Sequence, residues 1–365
     1  MSYRSAFIGC GLRSKNHLKA YEHVKSIEVA ALADLDEEKL NERGDAFGIK
    51  ARYTDMVQML KEVKPDIVHC VTQPNFRVQP VRTCAEHGVK AIIIEKPMAE
   101  TLSAAEEIEK IAADTGIKVI VNTQRRYFES WQRVVELANS EQAGRIRKIR
   151  INCSPSVNCT GSHHIDQVQS LLGDPDPKTV LATAYGAEDW YTNHPGPANM
   201  FASIVYPNRV SLHAEFSRDG VNVPGCPGFW MSAGIDVVTD NGMIRWTECN
   251  GTTYQFAGMA QPEKFQSDFK LDDPKGQGAF TEAIGTWLDD PNTPHGNRLE
   301  TAIRVFRIVC TMVQSAARNG RMKYDAASLD DCYDELRQKL VAIEGDNEDW
   351  DWGTCPDQDE APAGS

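Results

Sequence analysis

The first 120 residues alternate short apolar runs with amphipathic stretches, and this alternation limits the possible folds more than any other feature of the chain. The apolar runs are "YRSAFIGCG", "IEVAALADLD", "DIVHCVT", "KAIIIEKP" and "KVIVNTQ". Continuous apolar strands separated by amphipathic helices are typical of a parallel sheet that is covered on both faces. We therefore predict an α/β Rossmann domain, a doubly wound parallel sheet, over residues 1–123.

A second pattern begins after about residue 125. Segments such as "NMFASIVYPNRVSLHAEFS" and "GIDVVTDNGMIRWTE" place strand-like runs on both sides of turn signals, which indicates antiparallel hairpins. Helical periodicity returns in "GAFTEAIGTWLDD" and in "RLETAIRVFRIVCTMVQSAARNG", where Asn-Gly closes the helix. We predict an α+β domain with a large, mostly antiparallel sheet over residues 124–345, followed by an acidic, flexible tail over 346–365.

Composition excludes several classes of partner. The net charge of -13 argues against binding to a phosphate backbone, so we expect no nucleic-acid partner. No apolar run approaches the roughly 20 residues of a membrane span, and "MSYRSAFIGCG" lacks the pattern of a signal peptide. The ten cysteines are scattered without a CxxC pair, which favours reduced thiols in a cytoplasmic protein.

The segment "FIGCGLRS" predicts a dinucleotide site. Gly9 permits a tight turn after the first strand, and Gly11 lets backbone N–H groups approach a pyrophosphate at a helix N-terminus, with Leu12 and Arg13 in the same turn. Asp34 ends the second strand, where its carboxylate would accept a ribose 2′-hydroxyl and repel a 2′-phosphate. We expect NAD as the cofactor rather than NADP, although Arg13 could instead help to hold a 2′-phosphate.

Four further segments suggest a family. They are "VTQPNFRVQPVRTCAEHGVKA", "IIIEKPMAETLSAAEEIEKIA", "NTQRRY" and "GSHHIDQVQSLLG". With the glycine turn, and as far as "SAARNGRMKY", they resemble the Gfo/Idh/MocA family of NAD(P)-dependent sugar and cyclitol oxidoreductases. The resemblance implies a Rossmann domain followed by an open antiparallel sheet that serves substrate binding and subunit contacts. It therefore implies a homodimer or homotetramer.

The resemblance also assigns residues to the cofactor and to proton transfer. Lys96 matches the lysine that handles the substrate hydroxyl proton beside the nicotinamide, and a lysine partly desolvated next to a positive ring is suited to that task. Pro97 matches a proline that commonly follows a cis peptide in this family. The positions that match cofactor contacts are Glu95 and the backbone of Thr72, Gln73, Pro74 and Asn75.

The second half of the predicted site surrounds "CTGSHHID". His163 matches the histidine of a D-x-x-x-H pattern, but Cys159 stands where the family has aspartate, and Val78 replaces a second family histidine. We predict Lys96 and His163 as the catalytic pair. The candidate substrate contacts are Arg126, Tyr127, Cys159, His163 and His164.

Metal binding is the alternative for this stretch. The C-x-x-x-H spacing would place Cys159 and His163 on one face of a helix, and Cys153 and His164 are further potential ligands. The residues before Gly161 read as extended, however, and no second ligand cluster is evident. We expect no metal and assign Asp166 a structural role in the following helix.

Three functions are compatible with these residues. The leading hypothesis is an NAD-dependent oxidoreductase that transfers hydride between a secondary hydroxyl of a sugar, glycoside or cyclitol and nicotinamide. The second is a redox-neutral enzyme that cleaves a glycoside, or eliminates a substituent, through a transient keto-sugar. The third is a non-catalytic, dinucleotide-sensing regulator, against which the presence of both Lys96 and His163 argues, because a sensor needs no proton acceptor.

Overall fold

The chain folds into two units, each built around its own sheet. The computed structural model describes residues 3–187, 190, 194–220, 222–224, 226 and 228–344. The first unit comprises the residues up to 127 together with 273–303, and the second comprises 128–272 together with the residues from 304 onward. Within the described ranges, none of the helices is both long and apolar enough to cross a membrane.

The first unit confirms the predicted doubly wound sheet. Six parallel strands lie in the order β3-β2-β1-β4-β5-β6. Their bounds are Tyr3–Ile8 (β1), Ile27–Ala33 (β2), Arg52–Tyr53 (β3), Ile67–Cys70 (β4), Ala91–Glu95 (β5) and Lys118–Asn122 (β6). The helices between them are Leu12–Lys19 (α1), Glu37–Phe47 (α2), Met56–Val63 (α3), Val78–Glu86 (α4) and Leu102–Thr115 (α5).

Local capping signals explain where these helices begin and end. The Asp36 side chain accepts the N–H groups of Glu38 and Lys39 at the start of α2, and Gly48 ends that helix with φ +68°. The strand order reverses between β1 and β4, so a crevice opens at the carboxyl ends of these two strands. In open α/β sheets this is where ligands bind.

The first unit also includes a segment that we predicted to lie in the second domain. Helix α8 (Phe269–Asp289) contributes Phe280 and Ile284 to a core that contains Tyr3 and Ile93. The Tyr3 hydroxyl also donates to Asp289 Oδ1 at 2.7 Å. We predicted that all of 124–345 forms one domain, and this boundary is corrected for 273–303. The segment belongs to the first unit because its apolar side chains are buried in the core of that unit. The predicted tail, 346–365, lies outside the described residues.

The second unit contains the expected large, mostly antiparallel sheet. Nine strands lie in the order β14-β13-β12-β11-β7-β10-β9-β8-β15, and β7 and β10 are parallel neighbours. The "YPNR" and "DNG" turns join β9 to β10 and β11 to β12, as predicted. The strands are Ile146–Cys153 (β7), Thr179–Tyr185 (β8), Asn199–Val205 (β9), Ser211–Ser217 (β10), Ala233–Thr239 (β11), Gly242–Thr247 (β12), Gly251–Phe256 (β13), Glu263–Phe265 (β14) and Met322–Lys323 (β15).

Helices cover one face of this sheet. They are Glu129–Ala138 (α6), Ser162–Leu172 (α7), Leu299–Ala317 (α9) and Tyr333–Glu344 (α10). Along β7, Ile149, Ile151 and Cys153 are buried while Arg150 and Asn152 between them are exposed. This alternation is typical of a sheet with one face in a core and the other facing outward.

One cysteine pair corrects the expectation of reduced thiols throughout. Cys226 and Cys249 form a disulfide with a Cα–Cα distance of 5.2 Å. The turn after β12 brings Cys249 beside the loop that carries Cys226, and the Asn250 side chain donates to the Pro224 carbonyl in the same region. The other described cysteines lie outside this disulfide and are buried: Cys10, Cys70, Cys84, Cys153, Cys159, Cys310 and Cys332.

Candidate functional site

The glycine turn has the geometry of an anion cradle. Gly9 has φ +97°, and a Cβ at this position would lie 2.3 Å from the Val71 carbonyl oxygen, so the turn requires glycine. At Gly11, the N-cap of α1, a Cβ would meet nothing within 4 Å, and no side chain caps the helix. Leu12 then begins the helix. Open space in front of an uncapped helix N-terminus fits a phosphate group.

Asp34 is placed at the edge of this cradle. Its carboxylate accepts the Cys10 N–H at 2.5 Å and the Asp36 N–H at 2.9 Å, and the residue is half-buried. A carboxylate has about four acceptor positions, so it can also accept a ligand hydroxyl. Arg13 directs its guanidinium to Glu95, at 3.4 Å from Oε1, and this contact draws it toward the carboxylate at the end of β5.

The segment predicted to contact the cofactor follows β4 directly. Thr72 and Pro74 are half-buried, and Gln73 and Asn75 are exposed. The preceding residue, Val71, donates its N–H to the Ile8 carbonyl at 2.8 Å, which ties this segment to the end of β1. The structure therefore brings Thr72–Asn75 and the glycine turn to the same edge of the sheet.

Glu95, at the end of β5, is buried and fully hydrogen-bonded on one oxygen. Its Oε1 lies 2.7 Å from His17 Nε2 and 2.7 Å from Asn122 Nδ2. Burial acts to raise the pKa of Glu95, but Arg13 and the bond from His17 outweigh it and hold that pKa well below its usual range. Glu95 is therefore a buried carboxylate anion directly beside Lys96.

Arg77 fixes the backbone around Lys96, a role that we did not predict for it. This buried side chain donates to the carbonyl oxygens of Thr72, Glu95 and Pro97. Burial lowers the pKa of Arg77 to about 10, which still leaves it charged at neutral pH. The Lys96–Pro97 peptide is cis, as the resemblance implied. A cation at a helix N-terminus is unfavourable in isolation, and this was the one available signal of a special role.

Arg43 is a second residue that the sequence did not reveal. It is buried on α2 and donates to the Cys10 and Gly11 carbonyl oxygens, each at 3.4 Å. Its guanidinium therefore holds the backbone of the glycine turn through these two carbonyl groups. It also adds positive charge beside the anion cradle. Nothing in the local pattern of α2 distinguishes Arg43 from a surface arginine.

The predicted substrate residues of the first unit lie in the turn Gln124–Tyr127 that follows β6. Arg126 is buried. The Tyr127 hydroxyl accepts the Gly296 N–H at 3.2 Å, and its ring packs against Phe280 and His295. Tyr127 thus has a structural role in the first unit in addition to any contact with substrate.

In the second unit, the stretch before Gly161 is helical and not extended as predicted. Residues Val157–Gly161 form a π-helical turn that runs into α7, with the N–H groups of Cys159, Thr160 and Gly161 converging on the Ser156 carbonyl. A Cβ at Gly161 would lie 2.4 Å from the Phe216 ring, so close packing selects glycine there. Such π-turns occur frequently at functional sites.

Cys159, His163, His164 and Asp166 are all buried around the start of α7. His164 faces the interior of the second unit, where Nδ1 lies 2.8 Å from Gln167 Oε1 and Nε2 lies 3.8 Å from Glu248 Oε2. Glu248 is a further buried acid that the sequence did not indicate. These contacts engage the His164 ring inside the second unit.

The potential metal ligands Cys159 and His163 lie in the part of the chain that the structure describes. No group of three or more histidine, cysteine, aspartate or glutamate side chains is arranged there to hold an ion. The helical turn does place Cys159 one turn before His163. These two residues alone do not make a closed coordination site.

Known proteins similar to this chain share the Rossmann fold of its first unit. Residues 3–123 match the oxidoreductase family with an NAD-binding Rossmann fold, Gfo/Idh/MocA. D-apiose dehydrogenase of Paraburkholderia graminis is 35% identical over 132 residues, which cover 36% of this chain and only 35% of that protein. The rhizopine catabolism protein MocA of Rhizobium meliloti is 28% identical over 315 residues, 79% of this chain and 85% of that protein.

Structural similarity to a solved oxidoreductase extends over nearly the whole chain. An oxidoreductase from Agrobacterium radiobacter, solved with NAD+, L-tartaric acid and magnesium, superimposes with a TM-score of 0.75 at 21% identity. The match covers 90% of this chain and 100% of that one. It establishes a common fold for both units.

Proposed function

We propose that the chain is an NAD-dependent oxidoreductase of the Gfo/Idh/MocA type, because residues 3–123 match the NAD-binding Rossmann fold of that family. The proposed reaction transfers a hydride between a secondary hydroxyl of a sugar, glycoside or cyclitol and nicotinamide. The observation that carries this proposal is the anion cradle at Gly11 on the same unit as Lys96, beside a buried Glu95 anion.

The residues present fit a dinucleotide. Gly9 and Gly11 keep the turn open, the α1 N-terminus at Leu12 offers N–H donors, and Asp34 offers acceptor capacity for a ribose hydroxyl. Because Arg13 is drawn toward Glu95, the carboxylate of Asp34 favours NAD over NADP. Bound NAD supplies the hydride acceptor of the reaction.

Lys96 is proposed to take the hydroxyl proton. Arg77 holds the carbonyl groups on both sides of Lys96, so the backbone that carries this side chain is fixed before substrate binds. A fixed backbone reduces the entropy cost of positioning the Lys96 amine during the reaction. In the second unit, His163 is proposed to share or relay that proton, since a neutral imidazole can accept and donate.

Substrate contacts are proposed for Arg126, Tyr127 and Cys159, with His164 acting through its neighbours Gln167 and Glu248. The sugar named for the relative D-apiose dehydrogenase supports this class of compound. We further propose that the protein is a homodimer or homotetramer in which the open sheets pair face to face. Its proposed location is the cytoplasm.

The test is a panel of sugars, glycosides and cyclitols with purified protein and NAD, in which NADH formation and substrate loss are followed in the same wells. NADH that accumulates with one stereochemical class supports the proposal. Substrate loss without NADH would replace it by the redox-neutral reaction. Tight NAD binding with neither signal across the panel would favour the regulator.

A further inference from the structure

Two buried amide side chains form a pair beside Glu95. Asn122 ends β6 and Gln277 lies on α8, and both are completely buried. Asn122 Nδ2 lies 3.1 Å from Gln277 Oε1, and Gln277 Nε2 lies 3.1 Å from Asn122 Oδ1. Asn122 Nδ2 also lies 2.7 Å from Glu95 Oε1. The pair therefore links α8 to the carboxylate at the end of β5, although 155 residues separate the two amides in the sequence.

Gln277 occupies an apolar position of its helix. Phe280 and Ile284, which follow it at helical spacing on α8, are buried in the core of the first unit. Residues at this spacing share one helix face, so Gln277 lies on the face that packs into that core. A buried amide is unfavourable unless its donors and acceptors are paired, and a leucine at this position would avoid that requirement. The presence of glutamine therefore indicates a task other than apolar packing.

The charge of Glu95 fixes the orientation of both amides. The pKa of Glu95 is held well below its usual range, so this side chain is a carboxylate and can only accept hydrogen bonds. The NH2 group of Asn122 must therefore face Glu95, and its carbonyl oxygen must face Gln277. Gln277 then donates to that oxygen and accepts the second Nδ2 proton of Asn122. Each amide thus has one orientation that satisfies the whole group.

The two oxygens of the Glu95 carboxylate have different surroundings. Oε1 lies 2.7 Å from Asn122 Nδ2, 2.7 Å from His17 Nε2 and 3.4 Å from Arg13 Nε. Asn122 Nδ2 and His17 Nε2 lie 3.0 Å apart, as two donors do when they share one acceptor, and this holds for a neutral as for a charged His17. Among the residues that the structure describes, none forms a hydrogen bond or ion pair with Oε2. Oε2 therefore retains its acceptor capacity.

We propose that Asn122 and Gln277 are positioning residues that anchor Glu95 through Oε1 and leave Oε2 to accept a hydroxyl of the bound ligand. This inference rests on the proposed function. The hydroxyl belongs either to the ribose next to nicotinamide or to the substrate, which offer the same donor chemistry. The physical reason is that a carboxylate anchored before binding loses less conformational freedom when the ligand arrives.

The proposal gives Gln277 an effect that passes through Asn122. Among the described residues, the Gln277 side-chain amide bonds Asn122 and no other side chain, whereas Asn122 bonds Glu95 directly. Loss of the Gln277 amide should therefore matter only while Asn122 is present. A residue needed solely for core packing would show no such dependence.

The test compares four variants with the wild-type protein. Gln277→Leu and Asn122→Leu each remove one amide and leave the other without its partner, and the double variant removes both. Gln58→Leu is the matched control, because Gln58 is an exposed glutamine on α3 that bonds Glu62 Oε1 at 3.0 Å. The control should match the wild-type protein in every measurement below.

The first readout is the melting temperature without ligand, which tests the pair itself. Gln277→Leu should lower it by about 5 °C in the wild-type background, because Asn122 is left with an unpaired buried amide. In the Asn122→Leu background the same change should raise the melting temperature, because it removes an unpaired amide. Equal lowering in both backgrounds overturns the proposal, whether or not the protein proves to be an oxidoreductase.

The second readout is ligand affinity, with ADP and NAD measured by calorimetric titration and KM measured for the best substrate of the panel. Gln277→Leu should leave ADP binding unchanged, because ADP lacks the nicotinamide riboside. If the hydroxyl is that of the ribose, NAD binding should weaken about tenfold; if it is that of the substrate, KM should rise about tenfold with NAD binding unchanged.

In the Asn122→Leu background, Gln277→Leu should change neither value further. Unchanged NAD affinity together with unchanged KM in Gln277→Leu overturns the proposal, as does a full additional loss in the double variant. Wild-type protein that binds no NAD, or turns over no substrate of the panel, would contradict the proposed function and with it the ligand named here. The melting temperatures test the amide pair in either case, so the two failures are distinguishable.

Discussion

Replacement of Arg77 by methionine should strongly destabilise the end of β5. Arg77 is 2% exposed and is the shared donor to three carbonyl groups, those of Thr72, Glu95 and Pro97. Each hydrogen bond from a charged donor contributes roughly 1.5–3 kcal/mol, and the desolvation of the guanidinium offsets several kcal/mol of the total. We expect a net loss of about 3–5 kcal/mol, typical of breaking a buried charged interaction.

The same helix offers a matched control. Arg82 pairs with Glu107 on the surface, with about half of each side chain exposed. Arg82→Met removes the same group from α4 but should cost no more than about 1 kcal/mol, because exposed ion pairs contribute little. Arg77→Lys should fall between the two, since lysine retains the charge but lacks the fork that reaches three oxygens.

Native-state hydrogen exchange of the Ile92–Glu95 amides measures this effect locally. The free energy of opening should fall by about 3–5 kcal/mol in Arg77→Met and by less than about 1 kcal/mol in Arg82→Met. Equal protection of β5 in the two variants would refute the view that Arg77 organises the backbone at Lys96.

Three further predictions concern other parts of the molecule. Asp34→Ala should weaken NAD binding at least about tenfold and relax the discrimination against NADP, measured by calorimetric titration; an unchanged preference would move the selectivity elsewhere. Burial lowers the pKa of His295 to about 4, so the folded state holds it neutral and loses about 3 kcal/mol as pH falls from about 6.5 to 4. The difference in melting temperature between the wild-type protein and His295→Gln should therefore shrink over that range, and a constant difference would contradict this role. Non-reducing peptide mapping should recover the peptides of Cys226 and Cys249 as one linked species, whereas separate peptides would contradict the disulfide.

The sequence predicted those features that short-range chemistry determines. The parallel sheet follows from apolar runs such as Ala91–Glu95, and the turn at Gly9 from the need for a left-handed residue against Val71. The hairpin at 207–209 follows from local turn residues. In each case the signal and its structural result lie within a few residues of one another.

The features that the sequence did not reveal depend on partners far along the chain. His17 and His69 are 52 residues apart in the sequence, and the residues around neither of them predict that the two rings are in contact. Helix α8 packs in the first unit because Phe280 shares a core with Tyr3. The helical periodicity of the sequence around Phe280 does not identify this distant partner. The disulfide between Cys226 and Cys249 likewise depends on how the β12 turn meets a loop 23 residues away.

The central claim is that Lys96 takes the proton when a hydroxyl of the substrate is oxidised by NAD. The most direct test is NADH formation by Lys96→Met on the best substrate of the panel, with Lys90→Met as the control, because Lys90 precedes the same strand but pairs with Asp66 at the surface. Lys96→Met should lose about 10²–10⁴-fold in kcat with unchanged affinity for NAD, and Lys90→Met should match the wild-type protein. Turnover by Lys96→Met within a few-fold of wild type would contradict the account.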